Sequence, residues 1–564
     1  MVKEKEMQAK GRKFWLVILI LALAAYTVKN IFVGADIDEG YGIMVGYRLA
    51  KGDRLLLEMW EPHQTSAIFT ALFIRPFLLL TGGVDFLNLY LRVVFFIVHG
   101  LIAVFFYRTL RRTKPDLDRN GAVLMALLFY VTSPKSIFVP EYSNLHLWFF
   151  VLMVLCLMRY YCPGSADRGR LRCLMLAGAC LACDVLAYPS MAVLFVFCVV
   201  FILLRPVGSR WKECLVYAAP CVLGAAVFLG YLLSYMEPGQ ILETVQYVLG
   251  ESSHQVPLLT KLLDWAGSFG RMAVLMIGAA GIAWVLKKVF PGWKVPFSLW
   301  TFLVLMVFQV GFWLFGSFNA IHPQILYPAV SLAGIVCYCR SGKREKAGFY
   351  VILLTFVSYF AVLALSNWSP ILLNPYLFMG MVGGLLCWSS YLEAHAGEYK
   401  KGLLSLLCLI LVLGNVFGYC YLIIGGDESH SPIYNVRGYN HRGLRAGIFT
   451  SYMTAYRYNQ NAEIWAEAVP EGSRVLYVGP SQFYCMLGDC IQSCPDTISS
   501  LVYDERLTEY WKRNPDRYPD VVVVESWFGE IRTVEEDSFI MQWIRNDFKP
   551  SKVVEYPYIT VFYQ

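Results

Sequence analysis

Long apolar runs dominate the first three quarters of the chain. A bilayer crossing needs about 20 mostly apolar residues, and runs of this kind recur at 14–34, 87–107, 121–134, 143–161, 171–187, 189–204, 213–235, 266–286, 295–316, 323–339, 347–365, 371–392 and 402–424. They predict thirteen membrane helices. A further apolar stretch, Ser66 to Leu80, is interrupted by Arg75-Pro76 and falls between two turns on the same side of the membrane. Its predicted place is therefore a surface or re-entrant helix. Beyond residue 424 the pattern changes to short runs. Arg474–Val478, Val521–Val524 and Ile559–Phe562 read as strands, and 451–468, 504–513 and 535–547 as helices, which predicts a small α/β unit.

Composition agrees with this division. Of 564 residues, 57% are hydrophobic and only 16% charged, against roughly 25% charged in soluble domains. The net charge of +7 suggests a nucleic-acid partner only if the charges cluster, and they do not. From Gly425 onward there are 13 basic and 19 acidic residues, leaving 35 and 22 in the first 424. The total thus combines a basic membrane part with an acidic tail, and no nucleic-acid partner is expected.

The basic residues also orient the chain, because cytoplasmic turns collect Lys and Arg. Lys3, Lys5, Lys10, Arg12 and Lys13 precede the first run, which reads as a retained anchor rather than a cleaved signal. Arg108, Arg111, Arg112 and Lys114 follow the second, and later alternate turns are basic in the same way. The expected topology has a cytoplasmic N-terminus, long outside loops at 35–65 and 236–264, and an extracytoplasmic tail.

Thirteen of the 16 cysteines, Cys156 to Cys420, lie in or beside apolar runs, where Cys packs as a small hydrophobe. The tail holds Cys485, Cys490 and Cys494, for which one disulfide and one free thiol is the expectation, since three ligands do not close a zinc site. His63, His254 and His322 fall in predicted outside turns, and Asp184 lies inside a predicted span, as a hydrogen-bonded acid or a proton site.

The densest candidate chemistry is Asp36-Ile37-Asp38-Glu39-Gly40-Tyr41, just beyond the first span. Acids at a membrane boundary are costly when desolvated and mark functional sites. Glu61-Pro62-His63, the amphipathic stretch to Leu80, Gly82-Gly83 and Leu91-Arg92 follow. In this arrangement the sequence resembles the GT-C superfamily of polytopic glycosyltransferases, in particular the branch of protein O-mannosyltransferases and the bacterial aminoarabinose transferase. That branch carries an Asp-Glu pair, a small residue and Tyr after the first span, then a His-Pro-Pro-like or Lys-Pro-Pro-like element, a Gly turn and a Leu-Arg pair. Asp38-Glu39-Gly40-Tyr41, His63, Gly82 and Leu91-Arg92 match it here. Gln64 and Thr65 stand where prolines are usual, and His322-Pro323-Gln324 lacks the Arg that meets the lipid phosphate in the family.

The resemblance implies an α-helical polytopic membrane protein of about thirteen transmembrane helices, GT-C-like, with a small C-terminal extracytoplasmic α/β domain. The expected units are 1–424 and 425–564, in a bacterial plasma membrane. It implies an inverting transfer of a sugar from a polyprenyl-phosphate donor to a glycan, lipid or protein acceptor at the outer face. Asp38 would be the catalytic base, with Glu39 orienting it. Asp36, Tyr41, His63, Arg92, Lys261, Arg271 and His322 are the candidate substrate-binding residues. Asp36, Glu61 and His63 are of the right kind for a divalent metal, although the pattern requires no particular cofactor. A glycan polymerase or ligase of the same superfamily is the alternative enzyme. A transporter or flippase is the alternative of another class.

Overall fold

The structure is a computed structural model of the whole chain. It describes residues 2–162, 167–204, 210–250, 256–292, 295–314, 325–341, 345–395, 400–423, 431–497, 505–528, 531–532 and 534–564. A helix occupies each of the thirteen predicted intervals. In the first half these are α1 (Val2–Phe32), α4 (Leu87–Thr113), α5 (Arg119–Tyr130), α6 (Tyr142–Tyr161), α7 (Asp167–Ala187), α8 (Val193–Leu203) and α9 (Arg210–Leu233). In the second half they are α11 (Leu258–Val289), α12 (Phe297–Leu314), α13 (Leu326–Arg340), α14 (Lys346–Leu365), α15 (Phe378–His395) and α16 (Lys400–Tyr421). By length and composition, eight helices among the described residues can cross a membrane, and four apolar helices are shorter.

Three further helices fill segments between the runs: α2 (Ile37–Lys51), α3 (Ala67–Thr81) and α10 (Pro238–Leu249). Two of them change the sequence reading. The stretch 35–65, expected as a loop, is built around α2, and α10 together with an early start of α11 replaces much of the loop expected at 236–264. Helix α3, expected as a surface or re-entrant helix, packs along α2, leaves Leu72, Leu79 and Leu80 exposed, and with the preceding turn from Gln64 is one of the eight long and apolar enough to cross. Within the Pro370–Glu393 stretch, 94% of the most apolar 18-residue window is buried, whereas α9 and α11 are mostly exposed.

The tail begins with a hairpin of β1 (Val436–Tyr439) and β2 (Phe449–Ser451), followed by α17 (Tyr452–Ala468). Its main sheet combines β3 (Arg474–Val478), β4 (Ile491–Gln492), β5 (Val521–Glu525), β8 (Lys552–Glu555) and β9 (Ile559–Tyr563) in the order β4-β3-β5-β9-β8. Strands β4, β3 and β5 run parallel, and β9 and β8 are antiparallel to their neighbours. Between β5 and β8 lie a small hairpin, β6 (Trp527–Phe528) and β7 (Ile531–Arg532); helix α18 (Glu505–Arg513) precedes β5 and α19 (Phe539–Trp543) follows β7.

Both faces of the sheet are covered, which is why its central strands read as unbroken apolar runs. Val475, Tyr477, Val521 and Val523 pack on one side with Trp465 of α17 and with Ile43, Met44 and Tyr47 of α2. Leu476, Val478, Val522 and Val524 pack on the other with Trp511, Trp543 and Trp60. The tail therefore shares its hydrophobic core with α2 and with the segment around Trp60. All 16 cysteines are free, so the disulfide expected in the tail is not formed. Cys485 and Cys490 pack on the α2 side of the sheet and Cys494 on the opposite side, where its thiol donates to the Asp496 carbonyl at 2.9 Å.

Candidate functional site

Asp36 ends the extended link after α1 and caps α2, its carboxylate accepting the Asp38 backbone N–H at 2.7 Å. An Asx cap with Glu three residues on is a helix-start pattern, and it was readable at Asp36 and Glu39. The cap places Asp38 and Glu39 in the first turn on different faces. Two glycines then let α2 settle into a narrow slot. A Cβ on Gly40 would stand 2.7 Å from the Phe483 ring of the tail, and one on Gly42 would stand 2.5 Å from Cβ of Glu141.

Asp38 faces a cleft of about 210 Å3 between α2 and the tail, with Tyr41 and Met44 on one wall and Pro480, Gln482 and Phe483 on the other. Its Oδ2 accepts from Nζ of Lys135 at 3.0 Å, with the Asp38 side chain 25% exposed and the Lys135 side chain 9% exposed. Lys135 lies in the connection between α5 and α6. Its ammonium also donates to the Tyr142 hydroxyl and stands 4.4 Å from the Trp368 ring centroid. Burial works against this ammonium, but the charge of Asp38, with Tyr142, Tyr376 and Glu141, more than offsets it, so that Lys135 is held firmly protonated.

Glu39 points the other way. Its two carboxylate oxygens receive Nε and Nη2 of Arg92 at 2.8 and 2.6 Å, and Asn88 donates to it at 2.9 Å. Arg92 spends its remaining donors on the carbonyls of Asn30, Ile31 and Gly34 at the end of α1. All five guanidinium N–H groups are thus engaged, and the buried pair fastens α2 to α1 and α4. In this geometry Glu39 does not touch Asp38, and Arg92 offers no remaining donor to a phosphate.

The other sequence candidates occupy definite places. Tyr41 donates to Glu61 at 3.2 Å, and Glu61 also accepts the Thr497 N–H from the tail. His63 stacks on Tyr142 with ring centroids 4.0 Å apart and lies 4.7 Å from Tyr188. Asp36, Glu61 and His63 are committed to a cap, a tail contact and an aromatic stack, and they do not form a metal set. Among the described residues no three His, Cys, Asp or Glu side chains are grouped to hold a metal ion.

On α11, Lys261 donates to the Ala364 carbonyl at 2.7 Å, and Arg271 donates to Ser268, whose hydroxyl lies 2.8 Å from that of Ser369. Lys261 therefore reaches the 364–369 segment that carries Trp368 over Lys135, and Arg271 is linked to it through Ser268. His322 and Gln324, like His254, lie outside the described residues. Deeper in the bundle, Asp184 is hydrogen-bonded to His146 at 2.7 Å, and His146 lies 3.3 Å from the Ser358 hydroxyl.

The sequence reading missed Lys135, although one signal was present. Lys135 opens the predicted outside turn between the runs 121–134 and 143–161, where Lys is uncommon. Glu141 was missed too. It caps α6 by accepting the Ser143 and Asn144 N–H groups at 2.9 Å, and burial pushes its carboxyl up to about 7.

No known protein family matches the chain, and no curated protein matches it by sequence. Among solved structures it is similar to ArnT from Cupriavidus metallidurans in the apo state (TM-score 0.42, 13% identity, 98% of each chain covered). ArnT from the same organism bound to undecaprenyl phosphate gives a TM-score of 0.44 with 14% identity over 97% of each chain. The Archaeoglobus fulgidus oligosaccharyltransferase in complex with Zn and sulfate gives 0.45 with 11% identity, over 90% of this chain and 68% of that one.

Proposed function

We propose that the protein is a GT-C membrane glycosyltransferase that moves a sugar from a polyprenyl-phosphate donor to an acceptor at the extracytoplasmic face of a bacterial plasma membrane. The observation that carries this reading is the Asp38–Lys135 pair, a carboxylate lining a cleft roofed by the tail with a buried ammonium against it. Transfer needs both groups. The carboxylate of Asp38 removes the acceptor hydroxyl proton. The acceptor oxygen forms a bond to the anomeric carbon as the bond to the phosphate oxygen breaks, and the polyprenyl phosphate leaves with the electron pair. Direct displacement of this kind inverts the anomeric centre. Lys135 supplies positive charge where the phosphate develops negative charge, with Lys261 and Arg271 of α11 beside the segment that covers it.

Tyr41, His63 and Tyr142 form the aromatic wall beside this pair, and Glu39 and Arg92 hold α2 in place. The proposal routes no step through a metal, because the candidate donors do not converge. The domain units 1–424 and 425–564 and the topology with the N-terminus in the cytoplasm belong to the same proposal. One observation favours a second reading, a transporter: the His146–Asp184 pair buried in the bundle is the kind of group that carries protons. The test is incubation of the purified protein with a panel of radiolabelled polyprenyl-phosphate sugars, comparing wild type with Asp38→Asn. Asp38-dependent release of lipid phosphate is expected. Its absence with every donor would overturn the enzyme reading.

A further inference from the structure

Helix α6 begins at Tyr142, which Lys135 links to Asp38, and its 20 residues carry it about 30 Å to the opposite end of the bundle. There, between α6, α8 and α14, lies a second cavity of about 480 Å3. Protein interiors are normally packed with few voids larger than a water molecule, whereas ligand sites range over about 300–1,000 Å3. The walls are apolar, with Val154 and Leu157 from α6, Phe201 from α8 and Leu354 from α14. Aromatic residues prop it open: the Tyr161 hydroxyl donates to the Phe201 carbonyl at 2.8 Å, and the Phe201 and Tyr350 rings lie 5.0 Å apart. Leu204 at its edge is 66% exposed.

The polar residues of the cavity gather at one end. Lys114, at the far end of α4, pairs with Glu345, and Lys346 follows at the start of α14 with an exposed side chain. Two ammonium groups against one carboxylate leave a net positive charge beside an apolar slot. A basic pocket between membrane helices at their basic-turn end fits a phosphate-bearing headgroup.

We propose that this cavity binds an anionic membrane lipid, with one hydrocarbon chain against Val154, Leu157 and Leu354 and the headgroup phosphate at Lys114 and Lys346. The site is separate from the Asp38 cleft and requires no turnover. The lipid would brace α6 against α14, the helices that carry Tyr142 and the segment leading to Trp368. The experiment is native mass spectrometry of the delipidated full chain titrated with phosphatidylglycerol or phosphatidylcholine. Wild type should hold phosphatidylglycerol at least tenfold more tightly. Lys346→Glu reverses the charge at the mouth, and Ala347→Trp fills the slot from an incompletely buried lining position. Each should weaken phosphatidylglycerol binding at least tenfold without lowering the thermal midpoint. Equal binding of the two lipids by wild type would overturn the proposal, as would wild-type phosphatidylglycerol binding in both variants. Displacement of the lipid by millimolar inorganic phosphate would assign the cations to a soluble anion and overturn it too.

Discussion

Asp38 and Lys135 stand 97 positions apart in the chain and form an ion pair with Nζ 3.0 Å from the carboxylate. Helix α2 supplies the carboxylate and the α5–α6 connection supplies the ammonium. The pair is more than a surface contact, because Lys135 is almost fully enclosed while Asp38 keeps a face on the cleft. A carboxylate that faces the cleft beside a fixed cation is placed to take a proton from an acceptor hydroxyl. The Asp38→Asn variant should fold, since Asn remains able to accept from Lys135, and should lose transfer. Full activity in that variant would remove Asp38 as the base.

Removing the cation tests the other half. Fixed positive charges at a developing anion contribute about 10²–10³ in rate, and Lys135→Gln should reduce kcat by that order. Lys135→Arg should recover part of the loss. A Gln variant with unchanged kcat would leave Lys135 with a packing role only.

Arg92 is expected to act on stability rather than on donor use. Arg92→Ala leaves Glu39 buried without its guanidinium, a loss of about 3–5 kcal/mol for a broken buried pair. Denaturant titration of the detergent-solubilised protein should show it, while the KM for donor in the surviving folded fraction stays near wild type. A selective rise in donor KM with stability intact would instead place Arg92 at the phosphate.

Gly42→Ala would force a methyl group to within 2.5 Å of the Glu141 side chain. Overpacking of this kind costs about 1–3 kcal/mol. Because Glu141 precedes Tyr142, displacement there should also loosen the Lys135 contact, and transfer should fall together with the thermal midpoint. An unchanged midpoint would show that α2 can shift without cost.

Glu141 gives a pH signature. Burial raises its carboxyl from 4.5 to about 7, with the charge of Lys135 and the N–H groups of Ser143 and Asn144 opposing the rise. A raised folded value means that the native state binds the proton more tightly than the unfolded chain. The resulting stabilisation is complete below about 4.5 and is lost as pH rises through about 7. The thermal midpoint of wild type should therefore fall over that range relative to Glu141→Gln, where this contribution is absent. Parallel profiles for the two proteins would refute the assignment.

The membrane helices and the central tail strands were legible because their signals are local. Twenty apolar residues must satisfy their own backbone in lipid, and only a helix does so within one segment. Val521 to Val524 reads as a strand because both faces of the sheet are covered. Helix α2 was overlooked for the opposite reason. It is enclosed by α1, α3, α4 and the tail, so it buries Glu39, Gly40 and Arg48 along with Ile43 and Val45 and shows no apolar stripe.

The sequence by itself determined the helical membrane architecture and the acidic α/β tail and singled out the Asp38 region as the candidate site, since hydropathy, charge and short motifs are written in neighbouring residues. Only the tertiary structure decided which carboxylate meets which cation. It gave Glu39 to Arg92 and Asp38 to Lys135, parted Cys494 from Cys485 and Cys490, and set the tail as a roof over the cleft. These outcomes follow from how rigid helices pack against one another, and a shift of one helix by a single turn, about 5.4 Å, would exchange the partners without altering any local pattern.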